Sequence, residues 1–111
     1  MNSMREGASP GEAGSAVVLV HGRGGSPEDM LGLAGVILDA LGDAPGREAL
    51  AWEALRAPGG SWYPHGFMEP LERNRPWLDR SLEALEVTIA DLAGEGIPER
   101  RIGLLGFSQG A

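Results

Sequence analysis

Two unbroken apolar runs frame the chain, Ala16-Val17-Val18-Leu19-Val20 and Ile102-Gly103-Leu104-Leu105, and helical periodicity lies between them. A continuous run rich in β-branched residues is what a strand buried on both faces requires, so Ala16–Val20 predicts an inner parallel strand. It ends in His21-Gly22-Arg23-Gly24-Gly25, after which Ser26 is a good N-cap, Pro27 suits the first helical position and Asp29 completes S-x-x-D. The helix predicted there carries Met30, Leu33, Ala34, Ile37, Leu38 and Leu41 on one face and closes near Gly42. Trp52–Ala57 predicts a second strand, stopped by Pro58-Gly59-Gly60.

Ser61–Phe67 is a loop rich in aromatic groups, continued by Met68 to Arg73, and loops of that composition tend to be binding surface. A helix is expected from about Asn74-Arg75-Pro76. Its Leu78, Leu82, Leu85, Ile89 and Leu92 form one stripe opposite Asp79, Arg80, Glu83 and Glu86. Gly94, Gly96 and Pro98 stop it, and Arg101–Phe107 predicts the last strand. Residues 1–15 have no apolar periodicity and are expected to be a disordered lead-in to a domain over 16–111. The order β-α-β-loop-α-β, with crossovers through helices, predicts an α/β fold with a parallel sheet.

Composition narrows the function classes. The net charge is −7 and there is no basic cluster, which argues against nucleic acid and against an anionic membrane surface. All nine basic residues are Arg, a bias that reads as genome composition. With no Cys there is no disulfide framework, thiolate nucleophile or cysteine metal site. The longest apolar run near the start is too short for a signal-peptide core or a membrane span, and a soluble cytoplasmic protein is expected. The oligomeric state is left open.

Chemistry is carried by the two glycine-rich loops that end the framing strands. Gly106-Phe107-Ser108-Gln109-Gly110 reads G-x-S-x-G, the pattern of a nucleophile elbow, in which a serine sits on a sharp strand-to-helix turn. With 18 Gly and seven Ser, chance supplies that pattern about 0.2 times, so its position after an apolar strand decides its weight. In a parallel sheet the loop Gly106–Gly110 and the loop His21–Gly25 emerge together at the carboxyl edge, where ligands bind. Acyl transfer needs donors for the oxyanion of the tetrahedral intermediate; the backbone N–H groups of Gln109 and Arg23 are the candidates. A dinucleotide fingerprint over Gly22-x-Gly24 fails at Pro27, where the third glycine belongs, and no G-K-[ST] is present.

These residues carry a family resemblance. Val17–Gly25, Ala57-Pro58, Trp62-Tyr63-Pro64, Glu72–Leu78 and Gly96–Ala111 together make the chain resemble the phospholipase/carboxylesterase family of α/β-hydrolases, which includes acyl-protein thioesterases. The resemblance spans roughly residues 16 to 111. It implies the N-terminal half of a three-layer α/β/α hydrolase sheet, truncated at the elbow. It implies Ser108 as nucleophile and Arg23 and Gln109 N–H as oxyanion hole. From the residues themselves, His21, Gly22 and Gly24 are expected to support that loop, and the aromatic loop with Trp62, Tyr63 and Phe67 to offer an apolar substrate pocket. The implied reaction is hydrolysis of small carboxylic esters or thioesters through an acyl-enzyme, with no cofactor and no metal. In this fold the triad runs Ser, then Asp or Glu, then His, and only Gln109, Gly110 and Ala111 follow Ser108 here. His21 and His65 both precede the serine; His21 is expected to be structural, and His65 either a solvated loop histidine or part of the pocket rim. The 111 residues alone are therefore expected to lack appreciable esterase activity. The alternative is a non-catalytic remnant or binding module.

Overall fold

The computed structural model describes residues 2–111. Four strands, β1 (Ser3–Gly7), β2 (Ser15–Val20), β3 (Leu50–Leu55) and β4 (Ile102–Gly106), form one open sheet in the order β1-β3-β2-β4. β2 runs parallel to both β3 and β4, while β1 runs antiparallel to β3. The expected parallel sheet is therefore present, with an antiparallel edge added to it.

Side chains alternate along each strand, and that alternation builds two cores. On one face, Leu19, Trp52 and Ala54 pack with Met30, Leu31 and Ala34 of helix α1 (Pro27–Leu41). On the other, Ala16, Val18, Ala51 and Leu55 pack with Leu92 of helix α2 (Leu71–Gly94) and with Trp62 and Ile97. Val18, Leu19 and Ile97 have no exposed surface, and burying side chains of this size stabilises by about 1.5–3 kcal/mol each. Three layers, α/β/α, result.

Ser26 caps α1 as its sequence position demands, its hydroxyl accepting the Asp29 N–H at 3.1 Å, and the helix closes at Gly42 with φ +55°. Its buried stripe includes Leu31 in place of Leu33, which is 39 % exposed. α2 begins at Leu71, before the expected start, and Pro76 lies inside it. The first turn survives because Asn74 is buried and ties it to the preceding loop. Asn74 accepts the His65 N–H at 2.8 Å and donates to the Gly66 carbonyl at 3.3 Å. Its leucine stripe is only partly covered: Leu92 is buried, but Leu82 is 49 % exposed.

Residues 3–7, in the stretch expected to be a lead-in without structure, form β1; Met1 lies outside the described residues. The cause is Glu53, a carboxylate on β3 that is 7 % exposed. Ser3 Oγ and Arg5 Nε each donate to it at 2.9 Å, and Arg5 also grips Glu95 at 2.9 and 3.1 Å. A buried carboxylate needs such partners, and β1 supplies them. The bonds to Glu95 first, and the charge and bonds of Glu53 after them, push the Arg5 guanidinium further above its ordinary range. No helix among the described residues is long and apolar enough to cross a membrane.

Candidate active site

β2 and β4 are neighbours in the sheet, so the loops that follow them are brought side by side. The Phe107 N–H donates to the Val20 carbonyl at 3.1 Å, the last rung between the two strands. Beyond it the chain turns sharply. Ser108 has φ +54° and is the one non-glycine residue at positive φ among the described residues. That conformation costs an L-residue about 1–2 kcal/mol and persists only where the surroundings impose it. The surroundings here are backbone. A Cβ on Gly106 would strike the Gly110 carbonyl, and one on Gly110 would strike the Val20 carbonyl. The turn closes with Gly110 N–H bonding to Phe107 O and Ala111 N–H to Ser108 O, both at 3.0 Å. Ser108 itself is exposed.

Ser108→Gly is expected to stabilise the chain by about 1 kcal/mol, because glycine relieves the left-handed strain. The urea midpoint should rise accordingly, whereas Ser108→Ala should leave it unchanged. A midpoint equal for all three would mean that the turn holds no strain.

The first loop lies against this turn. A Cβ on Gly22 would sit 3.3 Å from the Ser108 Cβ and 3.2 Å from the Phe107 carbonyl oxygen, so a larger residue would require the elbow to give by a few tenths of an ångström. Gly24, at φ +73°, donates to the Gly60 carbonyl at 2.8 Å, and Gly25 donates to Gly22 O at 3.0 Å. Among the described residues, the Arg23 and Gln109 backbone N–H groups make no hydrogen bond. At the far end of this loop, Glu28 pairs with Arg56 at 2.6 Å. Its own backbone N–H first, then Arg56, hold the Glu28 carboxyl below its usual range. The contribution of this exposed pair is full above the ordinary glutamate range and is lost as pH falls through the lowered value.

His21 is 1 % exposed, and both its ring nitrogens are engaged. The Ala57 N–H donates to Nε2 at 3.1 Å, so Nε2 carries the lone pair and the proton belongs on Nδ1, which reaches Gly22 O at 2.7 Å. The ring stacks on Trp62 at 5.0 Å, and the Trp62 indole N–H donates to His21 O at 2.7 Å. His65 sits apart, its ring edge-on to Trp77 at 6.1 Å.

A cavity of about 370 Å³ opens beside the elbow. Trp62, Tyr63 and Phe67 line it, together with leucines of α2 and with Gln109, Gly110 and Ala111. Ser108 and His65 are not among the lining residues. Sequence reasoning missed the polar work at this place. The Gln109 and Arg23 side chains, Ser61, Asn74 and Ser81 all bind the backbone of residues 61–66. Contacts such as Arg23 to Pro64 span 41 positions, and no local spacing encodes them.

A phospholipase/carboxylesterase from Dyadobacter fermentans DSM 18053 superposes with a TM-score of 0.85 at 35% identity, over 97% of this chain. The chain is related to the carboxylesterase-type α/β-hydrolases. Esterase PE8 is also similar, with a TM-score of 0.72 and 26% identity over 96% of this chain. The chain spans about half the length of each, 48% and 52%. No family model and no curated protein matches it. The α/β/α layers and open sheet match those of its hydrolase neighbours.

Proposed function

We propose that this chain carries the nucleophile and the oxyanion donors of an ester- or thioester-hydrolysing serine site. The observation that carries the reading is the strained φ of Ser108, exposed at the end of β4 and held between two glycines against the Gly22 loop. A turn that required only left-handed backbone would be formed at lower cost by glycine. In the reaction, Ser108 Oγ adds to the acyl carbon while its proton passes to a general base. The oxyanion is held by the Arg23 and Gln109 N–H groups, which the fold leaves without partners. Collapse expels the alcohol or thiol, leaving an acyl-enzyme that water cleaves. Trp62, Tyr63 and Phe67 form the apolar wall for the acyl group. A small-molecule ester fits this wall, and the cytoplasm is the compartment we assign.

The base is not among these residues. Both His21 nitrogens are held by backbone, and the His65 ring lies edge-on to Trp77, outside the residues that line the cavity. General-base assistance contributes about 10²–10⁴ in rate, so the 111 residues alone are expected to turn esters over near background. Imidazole added to the solution should restore part of the rate. The test is hydrolysis of p-nitrophenyl butyrate with increasing imidazole, corrected for the reaction of imidazole itself. Enzyme-dependent turnover should rise with imidazole and vanish in Ser108→Ala; turnover surviving that substitution would refute the serine mechanism. The cavity supports a second reading, a binding module that holds an apolar acyl ligand without cleaving it. Saturable binding of a fatty acid with no imidazole-dependent turnover would favour that reading.

A further inference from the structure

The two residues read above as oxyanion donors through their backbones also use their side chains, and both reach one atom. Gln109 Nε2 donates to the Tyr63 carbonyl oxygen at 2.8 Å, and Arg23 Nη2 donates to the same oxygen at 3.2 Å. Around that shared acceptor the grip widens. Gln109 Oε1 accepts the Trp62 N–H at 2.9 Å, and the Arg23 guanidinium reaches Pro64 O at 3.1 Å and His65 O at 3.2 Å. Among the described residues Arg23 has no carboxylate partner; its planar fork is spent on three successive carbonyls. The gripped segment is itself fixed, since Ser81 Oγ on α2 donates to Trp62 O at 2.9 Å.

We propose that Arg23 and Gln109 are positioning residues whose side chains, through the shared Tyr63 carbonyl, cross-link the loop after β2 to the elbow after β4 and set the spacing of their two N–H groups. The proposal rests on reading those N–H groups as the oxyanion hole. The physical need is plain. Two unpaired donors on separate loops relax toward other acceptors unless the loops are held, and an oxyanion hole requires both within about 2.7–3.1 Å of one oxygen. A brace through a third segment holds them while leaving the N–H groups free. It also ties donor spacing to the wall of the cavity, because Trp62 and Tyr63 belong to both.

The test compares Gln109→Met, Arg23→Met and the double variant by amide hydrogen exchange of peptides covering residues 22–25 and 61–66. Gln109→Met should speed exchange about tenfold at 22–25, a loop its side chain does not touch, as well as at 61–66. The double variant should exchange scarcely faster than either single one, since Arg23 and Gln109 are two links in series through residues 61–66 and cutting either breaks the connection. Gln109→Glu, which keeps the acceptor for Trp62 N–H but turns an oxygen toward Tyr63 O, should behave like Gln109→Met and serves if the latter fails to fold. Arg23→Lys should restore protection in part. In the same samples, imidazole-assisted fluorophosphonate labelling of Ser108 should slow about tenfold or more, with its dependence on imidazole concentration unchanged. Unaltered exchange at 22–25 in the Gln109 variants, or additive effects in the double variant, would overturn the cross-link. Labelling at the wild-type rate despite altered exchange would overturn the positioning role. If Ser108 in the unsubstituted chain takes no label, the hydrolase reading fails, and exchange alone still decides whether the loops are cross-linked.

Discussion

Gly110→Ala is expected to destabilise the chain by about 3 kcal/mol or more, a large part of the roughly 5–15 kcal/mol that holds a domain together. The added methyl would strike the Val20 carbonyl oxygen and lie 2.6 Å from the His21 carbonyl oxygen and 2.8 Å from the Val20 carbonyl carbon. None of these atoms belongs to a side chain that can swing away. They are the end of β2, a strand paired on both sides. Relief therefore requires the elbow to lift off the sheet or the strand to shift, and either breaks the Phe107–Val20 rung. A control separates this from glycine loss in general. Gly35→Ala, on α1 with open space around it, should instead stabilise by about 1 kcal/mol through helix propensity. Urea denaturation measures both. A Gly110→Ala midpoint within error of the unsubstituted chain would mean the elbow is not packed against β2 as described.

His21→Ala is expected to cost about 3–5 kcal/mol, combining a cavity with an orphaned donor. The ring is almost wholly buried, it stacks on Trp62, and its Nε2 is the acceptor for Ala57 N–H, which is buried with it. Removing the ring leaves that N–H without a partner and frees the Gly22 carbonyl from Nδ1. The measurement is again urea denaturation, paired with near-UV circular dichroism, which should lose the Trp62 contribution. The outcome bears on chemistry as well as stability. A histidine that served as the base would be removable at little cost in stability. A loss under about 1 kcal/mol would therefore undercut its role as loop support.

Much of the fold is legible in the sequence because its signals are local. The run Ala16–Val20 has the composition of a strand covered on both faces, and it is the middle of the sheet. Ser26, Pro27 and Asp29 fix the start of α1 through contacts within three residues. β1 is illegible for the opposite reason. Ser3 and Arg5 have no periodicity of their own; they are ordered by Glu53, 50 and 48 positions away. The start of α2 is hidden by Pro76, which reads as a first-turn residue, while the buried Asn74 that anchors the true first turn gives no signal. At the site, the glycines and Ser108 are visible because steric demands at a tight turn select them at fixed spacing. The side chains of Arg23 and Gln109 are visible only as members of those motifs. Their partners are backbone carbonyls and an N–H of a loop 40 or more positions distant, and backbone groups have no sequence signature.

The most direct test of the central claim is to locate the modified residue after fluorophosphonate treatment. The chain, with and without Ser108→Ala, is incubated with the reagent across a range of imidazole concentrations and mapped by peptide mass spectrometry. The expected result is slow labelling on Ser108, faster with imidazole and absent from the variant, because the elbow and its donors are assembled while the base comes from elsewhere. Labelling on another serine, or no labelling of Ser108 at any imidazole concentration, would contradict a nucleophile at the end of β4.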